Sequence, residues 1–229
     1  MRFLITTGAT REYIDPVRFI SNASSGRMGY ALARAALKAG HNVTLITGSV
    51  TRDPGPIIRG STDKGQIKVI NVETAAQMFN AVRRYFPRCD CLIMAAAVSD
   101  YTPARPAKTK IKKSGKSLTI KLKPTADILK WAGTHKNPKS EIRNSKFRRR
   151  QLVVGFALED KNLRQNAERK LKEKNLDMII ANTPAAIGAD KTTIHIRTPG
   201  RNWLKLLKAN KTTIAKKIVS LMEEMEKER

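Results

Sequence analysis

RFLITTGATREYIDPVRFISNASSGRMGYALARAALKAGHNVTLIT, residues 2–47, carries the strongest structural signal in the chain. Residues 3–6 form a short apolar run that ends in Thr7 and Gly8, as expected of a buried strand feeding a ligand-facing loop. After a long loop, Met28, Ala31, Leu32, Ala35 and Ala36 recur at helical spacing from Gly26 and Arg27, and Gly40 supplies the stop signal. Residues 43–46 read as a second strand. The opening unit is therefore strand, loop, helix, strand.

The same alternation continues downstream. Strands are predicted at 67–71, 91–96, 152–156 and 178–180, with helices near 74–85 and 162–174. Near-continuous apolar strands separated by amphipathic helices imply an α/β fold, a doubly wound, mostly parallel Rossmann-like sheet covered on both faces. The tail differs. Residues 193–196 and 203–207 predict a C-terminal hairpin around Pro199, Gly200, Arg201 and Asn202. A final helix from Thr212 then presents Ile214, Ile218, Leu221, Met222 and Met225 on one side, a stripe expected to pack on the core.

A chain of 229 residues with 41% hydrophobic content can bury one good core, so a single domain over 1–229 is expected. Cys89 and Cys91 fall within an apolar run, where a strand would point both to one face, and they read as reduced core residues rather than a disulfide framework. No apolar stretch approaches the roughly 20 residues that span a bilayer, and the first residues lack a signal-peptide layout. A cytoplasmic protein without membrane contact is expected. Lys and Arg number 45 against 19 Asp and Glu, a net charge of +26 that must attract anions. The excess gathers at 108–123 and 136–150. Such a charge commonly signals nucleic acid. Aromatic content of 5% and the lack of a zinc-finger, RNA-recognition or helix-turn-helix signature leave nonspecific nucleic-acid contact as a secondary reading. Residues 134–150, rich in Lys, Arg, Asn, Ser and Pro, are predicted to be a basic variable loop rather than a domain boundary.

In open α/β sheets ligands settle at the carboxyl ends of the strands, so three loops carry most weight. The first begins at Gly8 and closes with Asn22, Ser24, Ser25 and Gly26 at a helix N-terminus, where free N–H groups and the helix dipole make a phosphate cradle. The same residues serve equally well as a cap and turn. Gly8, Gly26 and Gly29 are too widely spread for a G-x-G-x-x-G fingerprint. In the second loop three small residues, Ala95, Ala96 and Ala97, permit close backbone approach. Asp100 there suits a ribose hydroxyl or a metal, or simply caps a turn. Next, Lys108, Lys110 and Lys113 with the alternating Leu118, Ile120 and Leu122 outline a basic flap hairpin over about 101–123. It could clamp a polyphosphate and exclude water, although a bare lysine run also reads as a protected sheet edge. The third region pairs the strand at 152–156 with Lys170 and Lys174, whose i,i+4 spacing puts both ammonium groups on one face, ready for an anion or for solvent.

Six motifs stand in order along the chain: TTGATREYIDPVRFISNASSGRMGYALA at 6–33, AAAVSDY at 95–101, KIKK at 110–113, DIL at 127–129, GFALE at 155–159 and KNLDMIIAN at 174–182. Together they resemble the phosphopantothenoylcysteine synthetase family, the synthetase domain of bacterial coenzyme A biosynthesis. The resemblance implies a ligase that activates the phosphopantothenate carboxylate with CTP, giving an acyl-cytidylate and pyrophosphate, after which the amine of L-cysteine displaces CMP. Eukaryotic relatives use ATP, but these motifs look bacterial. It also implies Mg²⁺ with the nucleotide and a homodimer. Triphosphate, substrate phosphate and carboxylate would bring roughly six or seven negative charges into one pocket, which suits the basic composition.

Matched position by position, the family pattern gives Asn22 a role in the chemistry of the acyl intermediate and places Lys110 on a flap over the nucleotide. Met94, Ala95, Ala96 and Asp100 would line the nucleotide site with Ala126, Asp127, Ile128 and Leu129, and so would Phe156, Lys170 and Lys174. Backbone groups would read the base, Asp100 the ribose and the lysines the phosphates. Arg18 is a further candidate for the substrate phosphate, across a dimer interface. No metal ligands are assigned. The chain departs from the family in having Ala9 for the second glycine of Gly-Gly-Thr and Ala126 for a frequent proline. Bacterial members often follow a flavin-dependent decarboxylase, whereas this chain begins at the synthetase's first strand, so no flavin and a separately encoded decarboxylase are expected. A rival reading, an NAD(P)-dependent oxidoreductase, is weakened by Thr47, Gly48 and Ser49, which stand where an acidic ribose ligand belongs.

Overall fold

Successive residues of a strand face opposite ways, and β1 (Arg2–Thr7) puts Phe3 and Ile5 into one core and Leu4 into another, each at most 1% exposed. That double burial explains the unbroken apolar run. The structure, a computed structural model, describes residues 1–49, 65–136 and 151–228. The elements after β1 are β2 (Arg11–Tyr13), β3 (Phe19–Ser21), α1 (Arg27–Lys38), β4 (Asn42–Thr47), β5 (Ile67–Asn71), α2 (Ala75–Tyr85) and β6 (Cys91–Met94). They continue with β7 (Tyr101–Pro103), β8 (Leu122–Pro124), α3 (Ile128–Thr134), β9 (Leu152–Leu158), α4 (Leu163–Glu173), β10 (Met178–Asn182), β11 (Lys191–Arg197), β12 (Leu204–Asn210) and α5 (Lys211–Lys227).

The main sheet runs β12-β11-β10-β9-β6-β1-β4-β5. Neighbours from β10 through to β5 are parallel, while β11 and β12 add an antiparallel edge. From β1 the chain steps outward through β4 to β5, then returns to the other side of β1 through β6, β9 and β10. The order therefore reverses between β1 and β6, and a crevice opens beyond their carboxyl ends. Helices α1 and α5 cover one face through Leu32, Ala36, Ile218 and Met222, and α2, α3 and α4 cover the other through Met78, Val82, Leu129 and Leu171. The predicted stripe on the last helix packs on that first face. This is the doubly wound, mostly parallel fold expected, with both hairpins. Among the described residues no helix is long and apolar enough to cross a membrane.

Four details differ from expectation. The loop after β1 contains the β2–β3 hairpin, and a seven-residue helix, α3, follows the flap. The flap is paired only at its base, where β7 meets β8, and residues 118–121 form no strand. Cys89 and Cys91 face opposite cores, because β6 begins at Cys91 and Cys89 caps the short helical turn Phe86–Arg88 before it. Both are free and buried, and burial pushes the Cys89 thiol up. Residues 137–150 of the predicted basic loop lie outside the described residues.

Candidate active site

The site is assembled by two loops that meet over the end of β1. Beyond Thr7, Gly8 turns the chain at φ +79°, so close to Gly48 and Ser49 that a Cβ would approach their backbone within 2.9 Å. Ala9 then threads between the loops after β4 and β6, exchanging two hydrogen bonds of 2.9 Å with Ser49, while Ala97 N donates to Gly8 O at 2.9 Å. Ala9 needs no left-handed backbone, which is why a methyl group is tolerated there. At the other end of the loop Gly26 takes φ 70° as the N-cap of α1 without offering a side-chain cap. Thr7 Oγ1 donates to Gly26 O at 2.7 Å, and Ser24 Oγ accepts from Gly26 N at 3.3 Å. Gly29 lets α1 descend onto β1, since a Cβ there would lie 2.3 Å from the Thr7 side chain. The first turn of α1 carries no acidic residue. Its N–H groups have no partners within the helix and make the helix's positive end, which lines the crevice.

A cavity of about 440 Å³ opens there, walled by Asn22, Ser24, Ser25 and Gly26 on one side and by Ala95, Ala96, Asp100, Phe156 and Lys170 on the other. A recess of about 180 Å³ adjoins it. The two share Ala96, Val98, Asp100, Phe156 and Lys170, and the recess adds Met94, Thr125, Ala126, Asp127, Ile128, Leu129 and Lys174. Residues from five separate motifs thus converge. Three of the sequence candidates do not join them. Gly8 shapes the turn behind the cavity, Lys110 is exposed on the flap, and Arg18 lies at the flap's anchor.

Asn22 bridges the two loops, its Nδ2 donating to Ala97 O and Val98 O at 3.2 Å each. The donor face expected to meet developing charge is turned onto those carbonyls, leaving Oδ1 as an acceptor. Asp100 is exposed, and its carboxylate makes no hydrogen bond or ion pair among the described residues. Its backbone is fixed by Thr125 N, which donates to Asp100 O at 2.9 Å. Asp127 caps α3 by accepting from Lys130 N at 2.9 Å and pairs with Lys174 at 2.8 Å. Burial works to raise the Asp127 pKa, but Lys174 and the Lys130 N–H outweigh it and hold the carboxyl below its usual range. The two lysines thus differ. Lys174 lies just past the end of α4 with its charge met by Asp127, whereas Lys170 Nζ donates to the Phe156 carbonyl at 3.3 Å and has no ion pair among the described residues. Burial and the neighbouring Lys174 lower the pKa of Lys170. Glu159, Asp100 and Asp127 oppose that shift, and Lys170 stands where the two cavities join.

Arg18 pairs with Asp15, and its Nη1 donates to Ile111 O at 3.1 Å. Ile111 N in turn donates to Asp15 Oδ2 at 3.1 Å, and Ala107 N to Ile14 O at 2.8 Å. Arg18 therefore ties the turn of the β2–β3 hairpin to the flap within one chain. Burial works to raise the Asp15 pKa, but the N–H groups of Val17, Ile111 and Arg18 and the Arg18 guanidinium outweigh it, holding the carboxyl at about 2. The sequence reading missed Arg27, Asn182 and Lys211, which also line the larger cavity. Arg27 and Asn182 stand inside quoted motifs and could have been found there. Lys211 has no local signal, because only the return of α5 beside α1 brings it to the site. Among the described residues no group of three or more His, Cys, Asp or Glu could hold a metal ion.

The sequence matches the family described as DNA/pantothenate metabolism flavoprotein C-terminal domain over residues 1–225. A protein named cysteine/cysteine sulfinic acid decarboxylase, from an unknown prokaryotic organism, is 46% identical over 188 residues, 82% of this chain and 47% of that protein. The coenzyme A biosynthesis bifunctional protein CoaBC of Bacillus subtilis is 42% identical over 186 residues, 81% of this chain and 41% of its own. The chain spans about half the length of these curated relatives. The crystal structure of a CoaBC C-terminal domain is 33% identical, with a TM-score of 0.77 and coverage of 100% of this chain and 96% of that one.

Proposed function

The chain belongs to the DNA/pantothenate metabolism flavoprotein C-terminal domain family, and from that membership we propose that it is a cytoplasmic ligase joining phosphopantothenate to L-cysteine at the expense of CTP. The observation that carries this reading is the meeting of two cavities at Asp100, Phe156 and Lys170, beside an uncapped helix N-terminus. A nucleoside fits the smaller recess, its base against the backbone of 126–129 and Phe156 and its ribose at Asp100. The triphosphate then runs onto the first turn of α1, with Lys170 beside it, and the acid substrate shares the larger cavity.

Two steps follow. A carboxylate oxygen of phosphopantothenate attacks the α-phosphorus of CTP, a new P–O bond forms, and the bond to the β-phosphate oxygen breaks to release pyrophosphate. The amine of cysteine, having lost its proton to solvent, attacks the acyl carbon. A C–N bond forms, the C–O bond to the bridging oxygen breaks, CMP departs with that oxygen, and the nitrogen's surplus proton passes to solvent. Asn22 holds the loops that flank the acyl carbon and can turn one N–H from a carbonyl towards the developing oxyanion. The flap, anchored at Ile111, carries Lys110 over the nucleotide and excludes water.

Mg²⁺ fits this arrangement as a companion of the triphosphate. The carboxylate of Asp127 is engaged by Lys174, so Asp100 is the cavity carboxylate left for a metal or a hydroxyl among the described residues. When bound, the ion would neutralise phosphate charge. A homodimer is supported by apolar side chains exposed together, with Val17 57% and Phe19 40% exposed on the hairpin and Tyr101 56% exposed on β7, which β2 packs against. The test of the first step is pyrophosphate release from CTP without cysteine. It should require both phosphopantothenate and Mg²⁺, and release that ignores phosphopantothenate would refute the proposed activation.

A further inference from the structure

A cluster of cations stands at the end of the sheet away from both cavities. Helix α2 ends at Tyr85, the turn Phe86–Arg88 leads from it towards the amino end of β6, and Lys68 is the second residue of the edge strand β5. The cavities open beyond the carboxyl ends of these strands. Lys68, Arg83, Arg84 and Arg88 are all exposed. Lys68 Nζ lies 5.0 Å from the centre of the Tyr85 ring and the Arg84 guanidinium 5.6 Å from it, while the Arg83 guanidinium lies 5.7 Å from the centre of Phe79. None of the four has an ion pair among the described residues. The acid nearest to them in sequence, Asp90, is held by Arg2 at 2.6 Å. The Tyr85 phenol registers the crowding, since a hydrogen bond with Lys68 and the charges of Lys68, Arg84 and Arg88 lower its pKa against the effect of burial. A lysine protects an edge strand and basic residues suit a helix C-terminus, but neither role needs three cations around one ring. The comparable cluster at Trp203 is partly neutralised. There Arg164 and Arg197 lie 5.6 and 6.0 Å from the ring centre, and Glu168 meets Arg197 at 3.0 Å.

We propose that Lys68, Arg84 and Arg88, with Arg83 beside them, form a docking face for the phosphodiester backbone of nucleic acid. Like charges gathered without acids repel one another, and a polyanion laid across them relieves that repulsion. The arginine forks suit phosphate oxygens, and the two rings serve as perches for cations rather than as stacking surfaces for bases. Such a face holds the backbone and reads no sequence. An amphipathic membrane contact or peptide would need an apolar anchor here. The rings of Phe79 and Tyr85 are only half-buried but carry cations, and the exposed Val69, next to Lys68 on β5, points to the opposite face of the sheet. Because the face lies away from the cavities, it can be filled while they turn over substrate, and the assignment does not rest on the ligase reading.

Fluorescence anisotropy of the full chain with a short labelled RNA strand, repeated with a scrambled sequence and a DNA duplex, tests this. Replacing Lys68, Arg84 and Arg88 together by Gln should weaken RNA binding about tenfold or more at about 0.1 M salt and reduce the slope of log affinity against log salt by about two. Arg88→Glu alone should reduce that slope by about one, and thermal melting checks that each variant is folded. Lys216→Gln with Lys227→Gln removes two exposed cations from α5, on the other side of the sheet, and should change binding by less than about threefold. Scrambling the RNA should change nothing. Wild-type protein that binds neither RNA nor duplex would overturn the face, as would a folded triple variant that binds RNA as tightly as wild type. An equal loss in the α5 variant would overturn it too, assigning binding to net charge. So would a triple variant that keeps RNA but loses phosphatidylglycerol vesicles or polyglutamate, giving the face to a membrane or an acidic peptide. Pyrophosphate release from CTP should be the same in the triple variant, so failure of the ligase assay leaves this test standing.

Discussion

Asn22 spans the gap between two loops with a single amide, and its replacement separates scaffold from chemistry. Asn22→Ala removes both bonds to the 97–98 carbonyls and the proposed donor to the oxyanion. It should lower product formation by about 10²-fold or more while leaving CTP binding nearly unchanged, since the recess is untouched. Single-turnover kinetics beside a CTP titration separates the two effects, and full turnover would remove Asn22 from the reaction. Gly29→Ala should cost about 1–3 kcal/mol in urea unfolding, because its methyl group meets Thr7 at 2.3 Å. Asp15 supplies a pH signature. Its folded pKa of about 2 lies below the ordinary 3.8, so its stabilisation is complete above about pH 4 and is lost as pH falls towards 2. The melting-temperature gap between wild type and Asp15→Asn should shrink over that window and not between pH 5 and 8. Asn22 was legible because it stands in a motif, whereas the partner of Arg18 was not. A carboxylate three residues back and a carbonyl on the flap satisfy that guanidinium, and neither is visible as a pair in the sequence.

The elements that were legible are those whose burial leaves a periodic mark. Strands β1, β4, β6, β9 and β10 are buried on both faces and read as continuous apolar runs, and α1, α2, α4 and α5 repeat apolar residues at helical spacing. What escaped is short or exposed. The β2–β3 hairpin has three residues in each strand and only part of its surface covered, and α3 spans two turns, too few for a period. Yet the turn of that hairpin holds the flap. Arg18→Ala frees Ile111 O and exposes the buried Asp15 charge, so the flap should loosen. The expected result is a KM for CTP raised about threefold to tenfold with smaller change in kcat, checked by steady-state kinetics. An unchanged KM would mean that flap position does not control nucleotide use.

The sheet as a whole explains why distant motifs meet. Reversal of strand order between β1 and β6 puts the loops at 8–29 and 95–101 side by side, and β9 and β10 add Phe156 and Asn182 along the same rim. The alternation of strands and helices made that convergence foreseeable. The arrival of Lys211 at the cavity was not, because it depends on the antiparallel edge carrying the chain back to set α5 against α1. Charge is also arranged at this level. Away from the cavities, Lys68 and Arg84 lie over Tyr85 at 5.0 and 5.6 Å from the ring centre, on the β5 edge. Any nucleic-acid contact made there should weaken steeply with added salt, whereas use of the nucleotide in the cavity should depend on salt far less. The decisive measurement is mass-spectrometric detection of phosphopantothenoylcysteine after incubation with phosphopantothenate, L-cysteine, Mg²⁺ and each of the four nucleoside triphosphates in turn. The amide should form with CTP foremost, with CMP and pyrophosphate in equal amounts. If no triphosphate yields the amide, the crevice between β1 and β6 serves some other reaction.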